Sequence, residues 1–446
     1  MAERLAAVLA PVLGPVTVEG LAALTGGASR STWEFDAISA SGRRSLILRR
    51  APAGDSNASM KLEALAQRAA GRAGAPVPTT LIADDSAAAL GHPFLICDKI
   101  AGETLAPRIE RRLDDLGRAE LLRQCASALA AIHRADPADL ALSSDDQLHS
   151  CRTQWDALHV TSAPFEWAFR WLAAHRPPPT QARLVHGDFR MGNLVVDGTR
   201  LAAVLDWELV HLGDTTEDVA WFCLRAWRFG APAHRGAGGL GSIDDFLASY
   251  QQAAGVDVEA DRFAWWLVLG TLRWGIICCM QARRHLSGLT RSVELATIGR
   301  RVCETEWDLL YLLDGQSGGD TRPAAPGNAA GPSRPPTHAR RPTAADLIGA
   351  VAEFLEGDVR AATEGQVNFH ARVAANALRI VERELTDPCG AAATQAMAAL
   401  EFTNEETLAA AIRAGDLDDR APALTVCLRT LVQHRLAIDH PGYDND

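Results

Sequence analysis

Residues 184–208 read LVHGDFRMGNLVVDGTRLAAVLDWE, and no other stretch constrains the fold of this chain as strongly. Three short apolar runs, at 184–186, 194–196 and 201–205, are separated by a polar loop and by Asp197, Gly198 and Thr199. The Asp-Gly pair suits the positive backbone angles of a tight reversal, so the second and third runs are expected to pair as a hairpin. Asp188 and Asn193 then fall on the loop before the hairpin, and Asp206 lies just past its second arm.

Phosphoryl transfer from ATP asks little covalent chemistry of a protein. A carboxylate facing the acceptor hydroxyl and hard oxygen ligands for magnesium are the parts required. Asp188, Asn193 and Asp206 supply that set. Each alone is an ordinary turn residue; the ordered set, placed between apolar strands, is what points to chemistry. The order His-x-Asp-x4-Asn, followed by a strand and by Asp206-Trp207-Glu208, resembles the catalytic and metal-binding loops of the aminoglycoside phosphotransferase and choline kinase family, which has the protein-kinase-like fold. That resemblance implies an α+β, two-lobed chain, with a β-rich N-lobe over about 1–100 and a helical C-lobe over about 101–313. It also implies Asp188 as catalytic base, His186 as a brace for the loop, Asn193 and Asp206 as magnesium ligands, and ATP and Mg2+ as cofactors.

The N-terminal part reads as the nucleotide-binding half. Gly26, Gly27, Ala28, Ser29 and Arg30 join two candidate strands, and glycines there would let backbone N–H groups approach the ATP phosphates. A β-rich stretch at 32–40 and a second strand at 45–49 follow. Protein kinases carry a lysine on that second strand. Here the only lysines are Lys61 and Lys99, and the aligned position is Arg49. Arginine keeps the charge but grips phosphate through a planar fork. Its expected acidic partner is Glu63, on a helix running roughly from 57 to 73. The strand PFLICDKI turns polar at its end, and the resemblance makes Cys97, Asp98, Lys99 and Ile100 the segment whose backbone reads adenine.

Beyond residue 116 the pattern is helical. Leu121, Leu122, Cys125, Leu129 and Ile132 keep helical spacing up to His133, to which no role is assigned. Asp214 can cap a helix starting at Thr215, and Asp218 on its first turn is expected, by the resemblance, to reach back and brace the catalytic loop. Trp221, Phe222 and Trp227 read as packing residues, whereas Arg225 and Arg228 are available to hold an anionic substrate group. The stretches AVLDWELVHLGD and AWRFG resemble the subgroup whose kinase-like domain is fused to, or encoded with, acyl-CoA dehydrogenases.

Residues 314–341 change character to Gly, Pro, Ala and Ser, a composition that cannot bury enough surface to order itself, and read as a flexible linker. A helix start at Thr343, with Asp346 at the capping-box acid position, opens a second domain over 342–437. Apolar positions mark one helix over 347–355, a second over 369–381, and two more after it. The block NFHARVAANALRIVEREL resembles an uncharacterised bacterial helical domain found beside such kinase-like proteins, and this bundle is the expected surface for any protein partner. The polar side chains His370, Arg372 and Asn376 read as a solvated face.

Composition narrows the class. A net charge of −11 disfavours a nucleic-acid partner, since phosphate backbones are bound by basic surfaces. The excess is concentrated from residue 337 onward, with 10 Arg against 17 Asp or Glu. Nine cysteines, an odd number without metal-ligand spacing, argue for a reducing compartment. No secretory signal is visible, and the apolar stretch 263–280 is interrupted by Arg273 and two glycines, so a buried helix and a cytoplasmic location, away from membranes, are expected. The expected function is an ATP- and magnesium-dependent phosphotransferase acting on a hydroxyl of a small molecule, with a hydroxyacyl-CoA or related acyl intermediate as candidate acceptor by resemblance. An aminoglycoside-type antibiotic kinase is a weaker fit, because the candidate pocket offers arginines where a cationic drug calls for carboxylates. A non-catalytic nucleotide-binding regulator is the alternative from another class.

Overall fold

The structure is a computed structural model and describes residues 1–24, 30–51, 59–137, 140–316, 342–387 and 390–445. The described chain is α+β, with its sheet at the N-terminal end and mostly helices beyond it. It divides into two compact units, Met1–Asp145 with Pro178–Leu267, and Asp146–Pro177 with Val268–Asp446.

In the first unit, strands β1 (Val16–Leu24), β2 (Ser31–Ser39), β3 (Gly42–Arg50), β4 (Thr80–Asp84) and β5 (Phe94–Asp98) form one antiparallel sheet in the order β1-β2-β3-β5-β4. Strand side chains alternate between faces, and here both faces are covered. Phe35, Leu46, Leu48, Phe94 and Ile96 pack with Leu5 and Leu9 of the helix Ala2–Leu13. Leu95 and Cys97 point the other way, onto Met60 and Ala64 of the helix Met60–Arg72. Two-sided burial is why FLIC is continuously apolar. It also pushes the Cys97 thiol up to about 12. Arg49 sits on the second face with Ile47, and so is aimed at the helix that carries Glu63. That helix starts later than expected because Ser59 caps it by accepting from Leu62 N.

The helix Asp115–Arg134 is the core of the helical part of this unit. Leu121, Leu122, Cys125, Leu129 and Ile132 pack against Leu184, Phe189, Leu194, Trp207, Phe222 and Phe246. Strand β6 (Arg183–Val185) pairs with β9 (His211–Gly213), and β7 (Leu194–Asp197) with β8 (Arg200–Val204). The expected hairpin is therefore present, with Asp197 opposite Arg200 and Gly198 at φ 62° in the turn.

In the second unit, the helices Ala163–Ala174, Val302–Gln316, Ala391–Ala399, Glu405–Ala414 and Ala421–Asp439 share one core. Ala163, Cys303 and Leu310 are buried in the same cluster as Leu400, Leu408, Ile412, Leu424, Leu428 and Leu436. The compact units thus divide elsewhere than at the boundaries expected at 313 and 342. Cys303 and Leu310 are buried together with residues of the C-terminal helices. Residues 314–316 complete a helix instead of opening a linker, and Asp314 pairs with Arg429. The rest of the expected linker, 317–341, lies outside the described residues. The capping box at Thr343 and Asp346 forms as expected. Three helices rather than two follow Gly365–Thr386, because Asn404 caps an additional short one. Among the described residues one helix, Ala260–Leu286, is long and apolar enough to cross a membrane, and 56% of its most apolar window is buried.

Candidate active site

The first unit brings the site residues together by tying two loops to each other and to one buried carboxylate. Asp218, on the helix Thr216–Phe222, is fully buried and accepts from the backbone N–H groups of His186 at 2.7 Å and Gly187 at 2.9 Å. His133 Nε2 lies 3.1 Å from the same carboxylate, and its Nδ1 lies 2.7 Å from the Tyr250 hydroxyl. Burial raises the Asp218 pKa, but the bond to His133, the neighbouring imidazoles and the backbone donors outweigh it and hold the group below the usual carboxylate value. Asp218 thus holds the backbone of the loop that carries Asp188, and His133, to which the sequence assigned no role, is its partner.

His186 is fully buried. Its Nδ1 accepts from Asp188 N at 3.2 Å, which leaves Nε2 to donate to Leu205 O at 2.9 Å. One imidazole thus links the loop carrying Asp188 to the strand end that precedes Asp206. Gly187 between them has φ 82°, and a Cβ there would lie 2.4 Å from Leu209 O. Gly187→Ala is expected to cost on the order of 3 kcal/mol and most of the activity, read by thermal unfolding and turnover together. Unchanged stability would mean that this crossing of loops is looser than drawn.

The Asp188 carboxylate accepts from Trp221 Nε1 at 2.9 Å and from Asn193 Nδ2 at 2.7 Å. Arg190 Nε lies 3.0 and 3.2 Å from its two oxygens. Neither Trp221 nor Arg190 was singled out from sequence. The signal for Trp221 was its place one helical turn after Asp218, which sets both on the side facing the catalytic loop.

Asp206 is held at φ 65°, a backbone region disfavoured for a side chain larger than glycine and used where function requires it. Arg49 donates to its Oδ1. Burial raises the Asp206 pKa, but Arg49, His186 and Arg30 lower it more, so the group stays ionised. Arg49 is only 3.9 Å from Glu63, whose close partner is Arg30; Arg30 also reaches Glu208 at 3.3 Å. The expected Arg49–Glu63 pair is therefore the looser member of a network of two arginines and three carboxylates.

The remaining expected residues divide. Gly26, Gly27 and Ser29 lie outside the described residues. At the segment expected to read adenine, Asp98 N donates to Thr79 O and Lys99 N to Ser45 O, each at 3.0 Å. Asp98 also pairs with Arg44, and Lys99 with Glu34. The backbone N–H groups of Asp98 and Lys99 are thus already engaged within this part of the fold. Arg228 lines a pocket beside the catalytic loop with Ala106, Glu110, Met191, Phe229, Gly238, Gly239 and Leu240, whereas Arg225 is not part of that lining.

No group of three or more His, Cys, Asp or Glu side chains suited to a metal occurs among the described residues. That is compatible with magnesium, which takes one or two protein oxygens and fills its shell with water and phosphate. Asn193, using Nδ2 on Asp188, keeps its amide oxygen, and its backbone O accepts from the N–H of Leu205, the residue before Asp206, at 2.8 Å, so the two oxygen donors come from adjoining segments and the donor set fits.

A carboxylate on a loop tied down by His186, a second at positive φ after a hairpin, and an arginine from the sheet paired with that second carboxylate are arranged as in the protein-kinase-like fold. A sequence profile of the phosphotransferase enzyme family matches residues 20–266, more than half of the chain, and the chain belongs to that family. A second profile, a domain of unknown function (DUF6285), matches residues 361–443. Acyl-CoA dehydrogenase family member 10 of Mus musculus is 27% identical over 290 residues, 59% of this chain and 27% of that protein. Acyl-CoA dehydrogenase family member 11 of Homo sapiens is 24% identical over 260 residues, 54% of this chain and 33% of that protein. The chain thus spans a third or less of the length of these relatives. Among solved structures, a putative aminoglycoside phosphotransferase from Ralstonia eutropha matches with a TM-score of 0.57 at 21% identity, over 70% of this chain and 98% of that one. Spectinomycin phosphotransferase, solved with ADP and spectinomycin, matches at 0.50 and 12% identity, over 69% and 98%. At these identities the structural likeness is one of fold.

Proposed function

We propose that the chain transfers the γ-phosphoryl group of ATP to a hydroxyl of a small molecule. The observation that carries this reading is the Asp188 carboxylate, held by Trp221 and Asn193 on a loop that His186 ties to Asp206. Asp188 orients the acceptor hydroxyl and takes its proton as the oxygen bonds to phosphorus and the bond to ADP breaks. Arg49 and the glycine loop with Gly26, Gly27 and Ser29 bind the phosphates, Glu63 and Arg30 anchor Arg49's side of the network, and residues 97–100 hold adenine. Asn193 and Asp206 would hold magnesium, which when bound neutralises charge on the phosphates. Arg228 is the stronger candidate for an anionic acceptor group, and Arg225 the weaker. The names of the acyl-CoA dehydrogenase relatives support a hydroxyacyl-CoA or related acyl compound as acceptor. Burial within the helix Ala260–Leu286, with Arg273 in its middle, supports a chain that does not enter membranes, and the odd cysteine count supports the cytoplasm.

Calorimetric titration with Mg-ATP tests the nucleotide half. Asp206→Asn keeps a residue that tolerates the φ of 65° but loses the charge, so magnesium-dependent affinity is expected to fall about tenfold or more. Arg49→Ala is expected to weaken binding similarly, whereas Arg49→Lys retains part of it because the charge remains. Unaltered affinity in Asp206→Asn and Arg49→Ala together would remove ATP from this site.

A further inference from the structure

Asp188 carries more hydrogen bonds than a base waiting for its substrate needs. Oδ1 accepts from Trp221 Nε1 at 2.9 Å and Arg190 Nε at 3.0 Å; Oδ2 accepts from Asn193 Nδ2 at 2.7 Å and the same Arg190 Nε at 3.2 Å. A carboxylate offers about four lone-pair sites, so an incoming hydroxyl must displace a donor before it can bond to either oxygen. Trp221 and Asn193 are locked in the core, 3% and 6% exposed. Arg190 is different. Its side chain is 27% exposed, and its guanidinium carbon lies 5.0 Å from the ring centroid of Trp227, a flat face along which it can move without losing contact.

We propose that Arg190 is a specificity-determining residue that caps Asp188 against water and yields its place to the acceptor. The inference rests on reading Asp188 as the base. Hydrolysis would form a bond from a water oxygen to the γ-phosphorus, break the bond to ADP, which leaves with the electron pair, and deliver the water proton to Asp188. With Arg190 in place, the oxygens that would take this proton are occupied. A water that bridges the pair, accepting from the guanidinium and donating to Asp188, spends a lone pair on the arginine and is a poorer nucleophile toward phosphorus. Parting a half-buried arginine from its carboxylate is costly unless another acceptor takes over. An acceptor molecule that carries a second oxygen, best an anionic one, near its reacting hydroxyl supplies that replacement; Met191, on the same loop, lines a small pocket with Arg228.

The experiment is steady-state ATP hydrolysis by the full chain with Mg-ATP alone, with calorimetric Mg-ATP binding alongside. Arg190→Gln is expected to raise hydrolysis about five- to tenfold at unchanged affinity, Arg190→Lys to raise it less, and the double variant Arg190→Gln with Asp188→Asn to lose the gain. A variant damaged in folding loses activity and does not gain it, so the sign of the change separates the cap from a structural role. Hydrolysis that stays level or falls in both Arg190 variants while Mg-ATP still binds overturns the cap and leaves the role of Asp188 standing. Failure of the unaltered chain to bind Mg-ATP overturns the cap together with the phosphotransferase reading.

Discussion

Replacing Asp188 by Asn is expected to lower turnover by roughly 10²- to 10⁴-fold while leaving Mg-ATP affinity within about twofold. The carboxylate accepts from Trp221, Asn193 and Arg190. An amide in its place has one oxygen to offer, and its NH2 group would face either the indole N–H of Trp221 or the Asn193 amide, donor against donor. The side chain must turn away from one of them, so both proton affinity and placement are lost. On the proposed reading nucleotide binding draws on Arg49 and Asp206, which pair with each other, and so should persist. Turnover kinetics and calorimetry read the two effects separately. Undiminished turnover would take the base role from Asp188.

The C-terminal helices are expected to be indispensable to the second unit. Ending the chain at residue 315 strips the cover from Ala163, Cys303 and Leu310, which share a core with the leucines of the last two helices. The shortened chain is expected to be insoluble or to melt more than about 10 °C lower, because exposing several such side chains removes much of a typical stability of 5–15 kcal/mol. A point substitution tests the same interface inside the full chain. Arg435 Nη1 donates to both oxygens of Glu306 at 2.7 Å, and Glu306 also accepts from Ser162 Oγ at 2.7 Å. The Glu306 side chain is 2% exposed. Arg435→Ala leaves a buried carboxylate without its cation and is expected to cost about 3 kcal/mol. A soluble truncated chain with unchanged melting behaviour would show that residues 342–437 fold apart from the rest.

The two predictions mark where the sequence is legible and where it is not. The catalytic segment could be read because its chemistry is local: Asp188, Asn193 and Asp206 lie within 19 residues, and the alternation of apolar runs with Asp197-Gly198 dictates the hairpin that positions them. The helix that carries Asp218 was also within reach from the signals at Asp214, which accepts from Thr216 N, although the helix begins at Thr216, one residue later than expected; the part expected of Asp218 came from the resemblance. What escaped depends on contacts distant in sequence. His133 meets Asp218 across 85 residues, and Arg30 takes Glu63 more closely than Arg49 does, a choice between two arginines that no spacing rule makes. The C-terminal helices look independent because a Gly- and Pro-rich stretch precedes them and their charge differs. Their core is completed by residues 163 and 303–310, whose apolar faces read equally well as belonging to the kinase-like part. Trp221 was hidden by its own type, since an aromatic is assigned to packing before its single donor is considered.

The most direct test of the central claim follows the γ-phosphoryl group itself. ATP labelled with heavy oxygen at the γ-phosphate is incubated with the full chain, magnesium and a metabolite extract, and the products are resolved by mass spectrometry. The site described here predicts label in an organic phosphate ester with the unaltered chain and none with Asp188→Asn. Label confined to inorganic phosphate, or an organic product equal in both proteins, would contradict it.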